Sequence, residues 1–226
     1  MARKEFPIFG TSKIEIGRRG SERISRTILT DLFMKSALTI ILFTFLVSVS
    51  SAQGDFFSKL SESAITLTHQ KVVYDPKYYS IQYPNGDVPL HTGVCSDVVV
   101  RALRQVGLDL QKEVHEDMKE NFSVFPKIWG LKTTDKHIDH RRVPNLMKFF
   151  ERHDAKLTIS EKADDYKPGD VVCWNLGGAI THIGIVVDKK SNDGKRNLIV
   201  HNIGGGQVLA DCLFEYKIIG HYRYKM

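Results

Sequence analysis

A cysteine at the start of a predicted helix is the residue with the clearest setting for a nucleophile. Apolar residues follow Cys95 at the spacing of one helix face: Val98, Val99, Ala102 and Val106. This spacing predicts a helix that begins at or near Cys95 and ends near Gly107. The start of a helix favours negative charge and so lowers the pKa of a thiol, whereas the nearby Asp97 opposes that effect. A small buried side chain is the alternative role for Cys95, because most free cysteines are buried.

Two histidines have a context that suits a base for this thiol. A cysteine acts as a nucleophile near neutral pH when a base lies beside it and a third group orients that base. His182 begins one predicted strand and His201 ends the next, with a polar loop at 189–194 between them. In the corresponding hairpin the two lie opposite each other, with Cβ atoms about 5 Å apart. Either histidine alone would equally suit a backbone contact, but both at matched strand ends favour a functional site.

The elements that position these residues change in type along the chain. Helical patterns come first, at 53–70, 95–107, 109–122 and 144–153, around a tyrosine-rich irregular segment at 72–90. Candidate strands follow at 156–160, 171–174, 182–188, 197–201 and 218–224. Helices followed by an antiparallel meander indicate the α+β class. We therefore expect one domain over residues 53–226.

The N-terminal part of the chain resembles a secretory leader. Residues 34–52 combine Lys35, an apolar run from Ala37 to Val49 and small residues at 50–52, which predicts a signal peptide cleaved before Gln53. The apolar run of about 13 residues is short of the roughly 20 that span a bilayer, so no stable membrane anchor is expected after cleavage. The sequence thus predicts a periplasmic or secreted protein.

Residues 1–33 do not fit a signal peptide, because they are polar and contain several arginines. We expect Met34 to be the true start and residues 1–33 to be a non-native upstream extension. Eight of the 32 basic residues and four of the 26 acidic residues lie in residues 1–52, which leaves a net charge of +2 for residues 53–226 instead of +6. The high pI therefore does not indicate a nucleic-acid partner.

The chain has three cysteines, an odd number that leaves at least one thiol unpaired or shared with another chain. A disulfide between Cys173 and Cys212 would leave Cys95 free, but spacing alone does not bring them together.

Four sequence stretches together resemble the NlpC/p60-like cysteine peptidase superfamily: the cysteine that opens a helix, Pro168-Gly169-Asp170-Val171-Val172, Thr181-His182-Ile183-Gly184-Ile185-Val186 and Val200-His201. Three others resemble more closely an exported bacterial family, itself catalogued as a domain of unknown function within that superfamily: Gly93-Val94-Cys95-Ser96-Asp97-Val98, Asp139-His140-Arg141-Arg142-Val143-Pro144-Asn145-Leu146 and His201-Asn202-Ile203-Gly204. The resemblance covers essentially all of residues 55–226.

This resemblance implies a papain-like fold, in which the nucleophile helix packs on an antiparallel sheet. It implies Cys95 as nucleophile, His182 as base and His201 as the third catalytic residue, with Asn202 as the alternative, since papain-like enzymes often use asparagine there. It also implies hydrolysis of amide bonds in peptidoglycan stem peptides by a monomer that needs no cofactor and no metal.

Five further residues are candidates for substrate binding: Tyr83, Asp97, His140, Arg141 and Arg142. The two arginines could hold a stem-peptide carboxylate in a bidentate fork. They could equally be solvated, or form an ion pair with Asp139.

Three other functions stay open at this point. A catalytically silent wall-binding protein would keep the cleft without turnover, and an acyl or peptidyl transferase would use the same cysteine and histidine. A zinc site formed by Cys95, His182 and His201 is a third possibility, although their spacing matches no compact zinc motif.

Overall fold

Four helices and seven strands make up the part of the chain that the computed structural model describes, residues 56–225. The helices are α1 over 56–67, α2 (Cys95–Gln105), α3 (Leu110–Asn121) and α4 (Val143–Arg152). The strands are β1 (Val73–Tyr74), β2 (Thr92–Gly93), β3 (Val171–Asn175), β4 (Thr181–Lys190), β5 (Asn197–His201), β6 (Val208–Ala210) and β7 (Lys217–Tyr222). The architecture is α+β with an antiparallel main sheet, as the sequence predicted.

Local side-chain contacts account for the helix starts. The carboxylate of Asp97 accepts a hydrogen bond from the Val94 amide at 2.7 Å, in front of α2. Asp109 accepts one from the Gln111 amide at the start of α3. Pro144 lies in the first turn of α4, where a missing amide hydrogen costs nothing. The cysteine is thus the first residue of its helix.

The main sheet has the strand order β6-β5-β4-β3-β7, with every neighbouring pair antiparallel. Strands β3 to β6 form the expected meander, but the last strand does not continue it. Strand β7 returns to the opposite edge and pairs with β3, so that Val172 faces His221. A short parallel pair, β1 and β2, lies apart from this sheet and leads into α2.

Each face of the sheet has its own apolar core. On one face the helices cover side chains such as Cys173, Ile183 and Val200, together with Cys95. On the other face Trp174 and Ile199 pack with Cys212 in a smaller cluster. This division follows from the alternation of side chains along each strand.

The structure differs from the sequence prediction at two strands, and it decides the question of the disulfide. The segment at 156–160 forms only an isolated bridge between Lys156 and Tyr222, flanked by two backbone hydrogen bonds that join Leu157 to His221 and Arg223 to Ala155. Strand β6 was not predicted, since its three residues are too few to display a periodicity. No disulfide forms: all three cysteines are free thiols, and Cys173 and Cys212 face opposite sides of the sheet.

The predictions made for residues 1–52 lie outside the described residues. Within residues 56–225, no helix has the length and apolar character that crossing a membrane requires.

A fully buried carboxylate joins the turn before β3 to the last strand. Asp170 accepts hydrogen bonds from the Lys167 amide at 2.8 Å and from the guanidinium of Arg223, and its Oδ2 lies 2.8 Å from His221 Nε2. The His221 ring in turn stacks on Tyr166, with centroids 4.2 Å apart. The carboxylate is therefore the centre of the contact between β7 and the rest of the sheet.

We predict that Asp170→Ala lowers the free energy of unfolding by about 3–5 kcal/mol, because it leaves the buried His221 ring and the Arg223 guanidinium without the acceptor that they share. Urea unfolding followed by circular dichroism measures this loss. The matched control is Glu161→Ala on the exposed surface nearby, for which a change within about 0.5 kcal/mol is expected. Equal effects of the two substitutions would contradict the structural role of Asp170.

Candidate active site

The thiol of Cys95 lies where the start of α2 meets the start of β4. Its side chain belongs to the core between helices and sheet, and only 6 % of the residue is exposed. The backbone amide of Ile183 donates a hydrogen bond to the sulfur. The sulfur is therefore bonded to the backbone of the residue that directly follows the predicted base, His182.

The two predicted histidines contact each other. His182 Nε2 and His201 Nδ1 share a hydrogen bond of 2.8 Å, and the rings meet edge to face with centroids 5.0 Å apart. Both residues are only 4 % exposed. The His182 ring also packs against Trp174, the residue opposite it on β3. Within residues 56–225, His182 Nδ1 has no hydrogen-bond partner, so this nitrogen remains available to take a proton.

The hairpin register differs from the prediction by two residues. Ile185 pairs with Val200, so the same register places Gly184, not His182, opposite His201. A displacement of two residues keeps both histidines on the same face of the sheet, and their side chains meet diagonally. Gly184 makes this approach possible, because a Cβ there would lie 3.1 Å from the His201 Cβ.

A second cysteine extends the line of histidines. Cys212 Sγ lies 3.7 Å from His201 Nε2, and the thiol is buried on this face of the sheet. Sequence reasoning treated Cys212 only as a disulfide candidate. No local pattern indicates its role, because it lies in a loop after β6 and reaches His201 only through the fold.

Burial controls the charge state of the site. It raises the pKa of Cys95 to about 11, an effect that the Ile183 amide partly offsets and that Asp97 increases. Burial, followed by the neighbouring His201, lowers the pKa of His182 to about 4. The expected lowering of the thiol pKa by the helix start is therefore outweighed. Near pH 7 the thiol and the imidazole are both neutral, so the proton has to move as the sulfur attacks.

Asn202, the alternative third residue, has a structural role. Its amide nitrogen donates to the Gly93 carbonyl at 3.0 Å, and its oxygen accepts from the Gly204 amide at 3.1 Å. The side chain thus ties the glycine loop after β5 to the strand that precedes Cys95. His201, and not Asn202, contacts His182.

A surface pocket of about 230 Å³ opens in front of the cysteine. Its lining residues are Tyr74, Pro76, Val94, Cys95, Trp129, Ile138, Arg141, Arg142, Val143, Pro144 and Thr181. Two aromatic and two proline rings form part of its walls, and the arginines are its charged groups. A larger cleft of about 430 Å³ between α1 and α2 contains no cysteine or histidine.

The two predicted arginines have different environments. Arg141 is buried and forms a bidentate ion pair with Asp97, with nitrogen–oxygen distances of 2.9 and 3.0 Å. Its partner is therefore Asp97 and not Asp139. The pair leaves Asp97 without a free oxygen for a substrate, because the same carboxylate also accepts from the Val94 amide. Arg142 lies in the pocket, with its guanidinium 4.2 Å from the centre of the Trp129 ring.

The other two predicted substrate-binding residues do not line the pocket. Tyr83 donates a hydrogen bond to Glu116 at 3.2 Å and packs on the ring of His115. His140 is 2 % exposed, and burial lowers its pKa to about 3. Both side chains therefore serve the packing around α3.

Residues 56–225 contain no group of three or more histidine, cysteine, aspartate or glutamate side chains arranged to hold a metal ion.

Comparison with known proteins points to one family. A family model described as "Domain of unknown function (DUF1287)" matches residues 61–224. A protein of Escherichia coli (strain K12), named "Uncharacterized protein YijF", is 52 % identical over 151 residues, which cover 67 % of this chain and 73 % of that protein. No solved structure matches the chain.

We predict that His182 and His201 each carry their proton on Nε2, which leaves Nδ1 of His182 free. His182 Nε2–H would then donate to His201 Nδ1, and His201 Nε2–H to Cys212. Nitrogen chemical shifts of ¹⁵N-histidine-labelled protein at pH 7.5 measure both tautomers. Cys212→Ala should lower the share of the Nε2–H form of His201, and Cys212→Ser should preserve it. A proton on His182 Nδ1 would contradict its assignment as the base.

We also predict that the protein loses stability as the pH falls below about 6.5, the ordinary pKa of histidine. Between this value and the lowered pKa of His140, about 3, the unfolded chain binds a proton that the folded chain does not. Each such histidine lowers the unfolding free energy by up to about 1.4 kcal/mol per pH unit. Urea unfolding at pH 7.5, 6.5 and 5.5 should show a smaller slope for His140→Gln than for the unsubstituted protein, and an unchanged slope would contradict this role of His140.

Proposed function

We propose that this chain, which belongs to the DUF1287 family, is an exported cysteine hydrolase that cleaves amide bonds in peptidoglycan stem peptides. The observation that carries the proposal is the contact between His182 and His201, on the strand whose next residue, Ile183, bonds to the sulfur of Cys95 through its amide. A thiol, an imidazole with one free nitrogen and a group that orients the imidazole are the parts that nucleophilic amide hydrolysis requires.

The fold is consistent with this proposal and suggests membership of the NlpC/p60-like superfamily. In the papain-like arrangement, a helix that begins with the nucleophile packs on an antiparallel sheet that carries the base. Here α2 begins with Cys95 and β4 carries His182. The leader pattern at residues 34–52 supports export, and a cell-wall substrate would be met in that compartment.

The mechanism follows from the neutral resting pair. Cys95 Sγ attacks the amide carbon as its proton passes to His182 Nδ1, which forms a carbon–sulfur bond and a tetrahedral oxyanion. The backbone amide of Cys95, at the start of α2, is placed to stabilise this charge. The carbon–nitrogen bond then breaks, and the leaving amine takes the proton from His182. Water, deprotonated by His182, attacks the thioester, releases the carboxylic acid and restores the thiol.

His201 acts through His182 as a positioning residue. Its hydrogen bond to Nε2 holds the imidazole and leaves Nδ1 free for the proton, and it stabilises the imidazolium that forms during attack. The aromatic and proline side chains of the pocket would exclude water from one side of the bound peptide.

One observation favours a second candidate, a wall-binding protein without turnover. The thiol is nearly inaccessible and its pKa is raised to about 11, which is the setting of an unreactive cysteine. In that case the pocket would bind muropeptides and Cys95 would serve only to pack α2 against the sheet.

We predict that Cys95→Ala and His182→Ala each lower the release of peptides from purified peptidoglycan by at least about 1,000-fold, whereas His201→Ala lowers it by about 10- to 100-fold. Liquid chromatography with mass spectrometry measures the released fragments and identifies the bond. His69→Ala, an exposed histidine outside the pocket, is the matched control and should retain full activity. Undiminished release by Cys95→Ala would refute the mechanism. Muropeptide binding without any turnover by the unsubstituted protein would favour the second candidate.

A further inference from the structure

In the part of the chain that the structure describes, one arginine forms no ion pair. Residues 56–225 contain seven arginines, and six of them form ion pairs with aspartates. The pairs are Arg101 with Asp87, Arg104 with Asp109, Arg141 with Asp97, Arg152 with Asp117, Arg196 with Asp211 and Arg223 with Asp170. In the same part of the chain, Arg142 has no acidic partner within ion-pair distance. Its neighbour in sequence, Arg141, is fully occupied by Asp97.

The guanidinium of Arg142 is both oriented and incompletely bonded. It stacks on Trp129 at 4.2 Å, which fixes its plane. Its Nη1 is buried and makes no hydrogen bond. A buried donor without an acceptor costs free energy, and the cost is larger for a charged group. Within residues 56–225 the other guanidinium nitrogens have no acceptor either, and these are the donors that a ligand in the pocket would meet.

The position of Arg142 connects this unpaired charge with the nucleophile. Arg142 and Cys95 line the same pocket, together with Tyr74 and Thr181. Among residues 56–225 no aspartate or glutamate lines it, and Asp97 neutralises the second arginine there. The pocket therefore carries one uncompensated positive charge, which is suited to a single anionic group.

We propose that Arg142 binds a free carboxylate of the substrate, so that the natural substrate is an acidic peptide with that carboxylate next to the scissile amide. This inference rests on the proposed function, because it assigns the substrate class of the same site. A planar guanidinium matches a carboxylate through two parallel hydrogen bonds, and the Trp129 ring holds it in place for this geometry. The carboxylate is either a main-chain group, left free by a side-chain amide linkage, or a side-chain group.

Calorimetric binding to the full-length Cys95→Ser protein tests the proposal without turnover. The probes are synthetic tripeptides in matched acid and amide forms. In one pair the free carboxylate is the main-chain group of a γ-linked glutamate. In the other pair it is the side-chain group of an α-linked glutamate. We expect one acid form to bind at least about ten-fold more tightly than its amide, and the pair that shows this difference identifies the source of the carboxylate. Equal affinity of acid and amide in both pairs, or no binding of either acid at millimolar concentration, would overturn the proposal.

Substitutions of the arginine separate its charge from its packing. In the Cys95→Ser background, Arg142→Met keeps an unbranched stem against Trp129 and should remove the preference for the acid form over the amide form. Arg142→Lys, which keeps the charge without the fork, should retain part of the preference. The control is Arg152→Gln, which removes the ion pair with Asp117 outside the pocket. This variant should bind both probe forms like the parent. Thermal unfolding of each variant verifies that it is folded, and an unchanged acid preference in Arg142→Met would overturn the assignment.

The outcome is separable from that of the proposed hydrolase. If the active protein cleaves acid and amide forms at equal rates, the carboxylate site is wrong and the hydrolase stands. If Cys95→Ala loses no activity while Arg142→Met loses its acid preference in binding, the carboxylate site stands and the cysteine mechanism is wrong.

Discussion

The buried ion pair between Asp97 and Arg141 is the interaction on which the geometry of the site depends. Asp97 caps the start of α2 through the Val94 amide and also holds the guanidinium of Arg141 in two hydrogen bonds. Arg141 reaches further to the carbonyl of Lys77 at 3.0 Å. One carboxylate thus joins the nucleophile helix, the loop before it and the segment before α4. Loss of either partner would leave a buried charge unpaired and displace both Cys95 and the pocket wall.

The same arrangement explains why the site is neutral at rest. Cys95 is held against the start of β4 in a core that excludes water, and exclusion of water opposes charge on sulfur more strongly than nearby amides favour it. The proposed chemistry then relies on a base whose free nitrogen is already in place, not on a preformed thiolate. His182 meets this requirement through its contact with His201, and Gly184 provides the space that this contact needs.

Periodicity made the main elements predictable from the sequence. The helix after Cys95 and the strands that carry His182 and His201 follow from apolar spacing, and a strand period of two kept both histidines on one face although the register differed by two residues. Spacing could not specify the irregular register between Val186 and Lys190, which moved His201 opposite Gly184. The role of Cys212 was equally inaccessible, since a contact across the sheet leaves no trace in local sequence.

Adjacent arginines show most clearly where sequence reasoning ends. Arg141 and Arg142 are the same residue type at consecutive positions, and both were candidates for a substrate carboxylate. The chain leaves the 3₁₀ turn Asp139–Arg141 at this point and becomes extended at Arg142, so the two side chains diverge. One enters the core and is neutralised by Asp97, whereas the other stacks on Trp129 and keeps its charge unpaired. Residue type gives both the ability to bind an anion. The backbone direction leaves only the Arg142 guanidinium without an acidic partner. The charge of the substrate is therefore inferred from the fold.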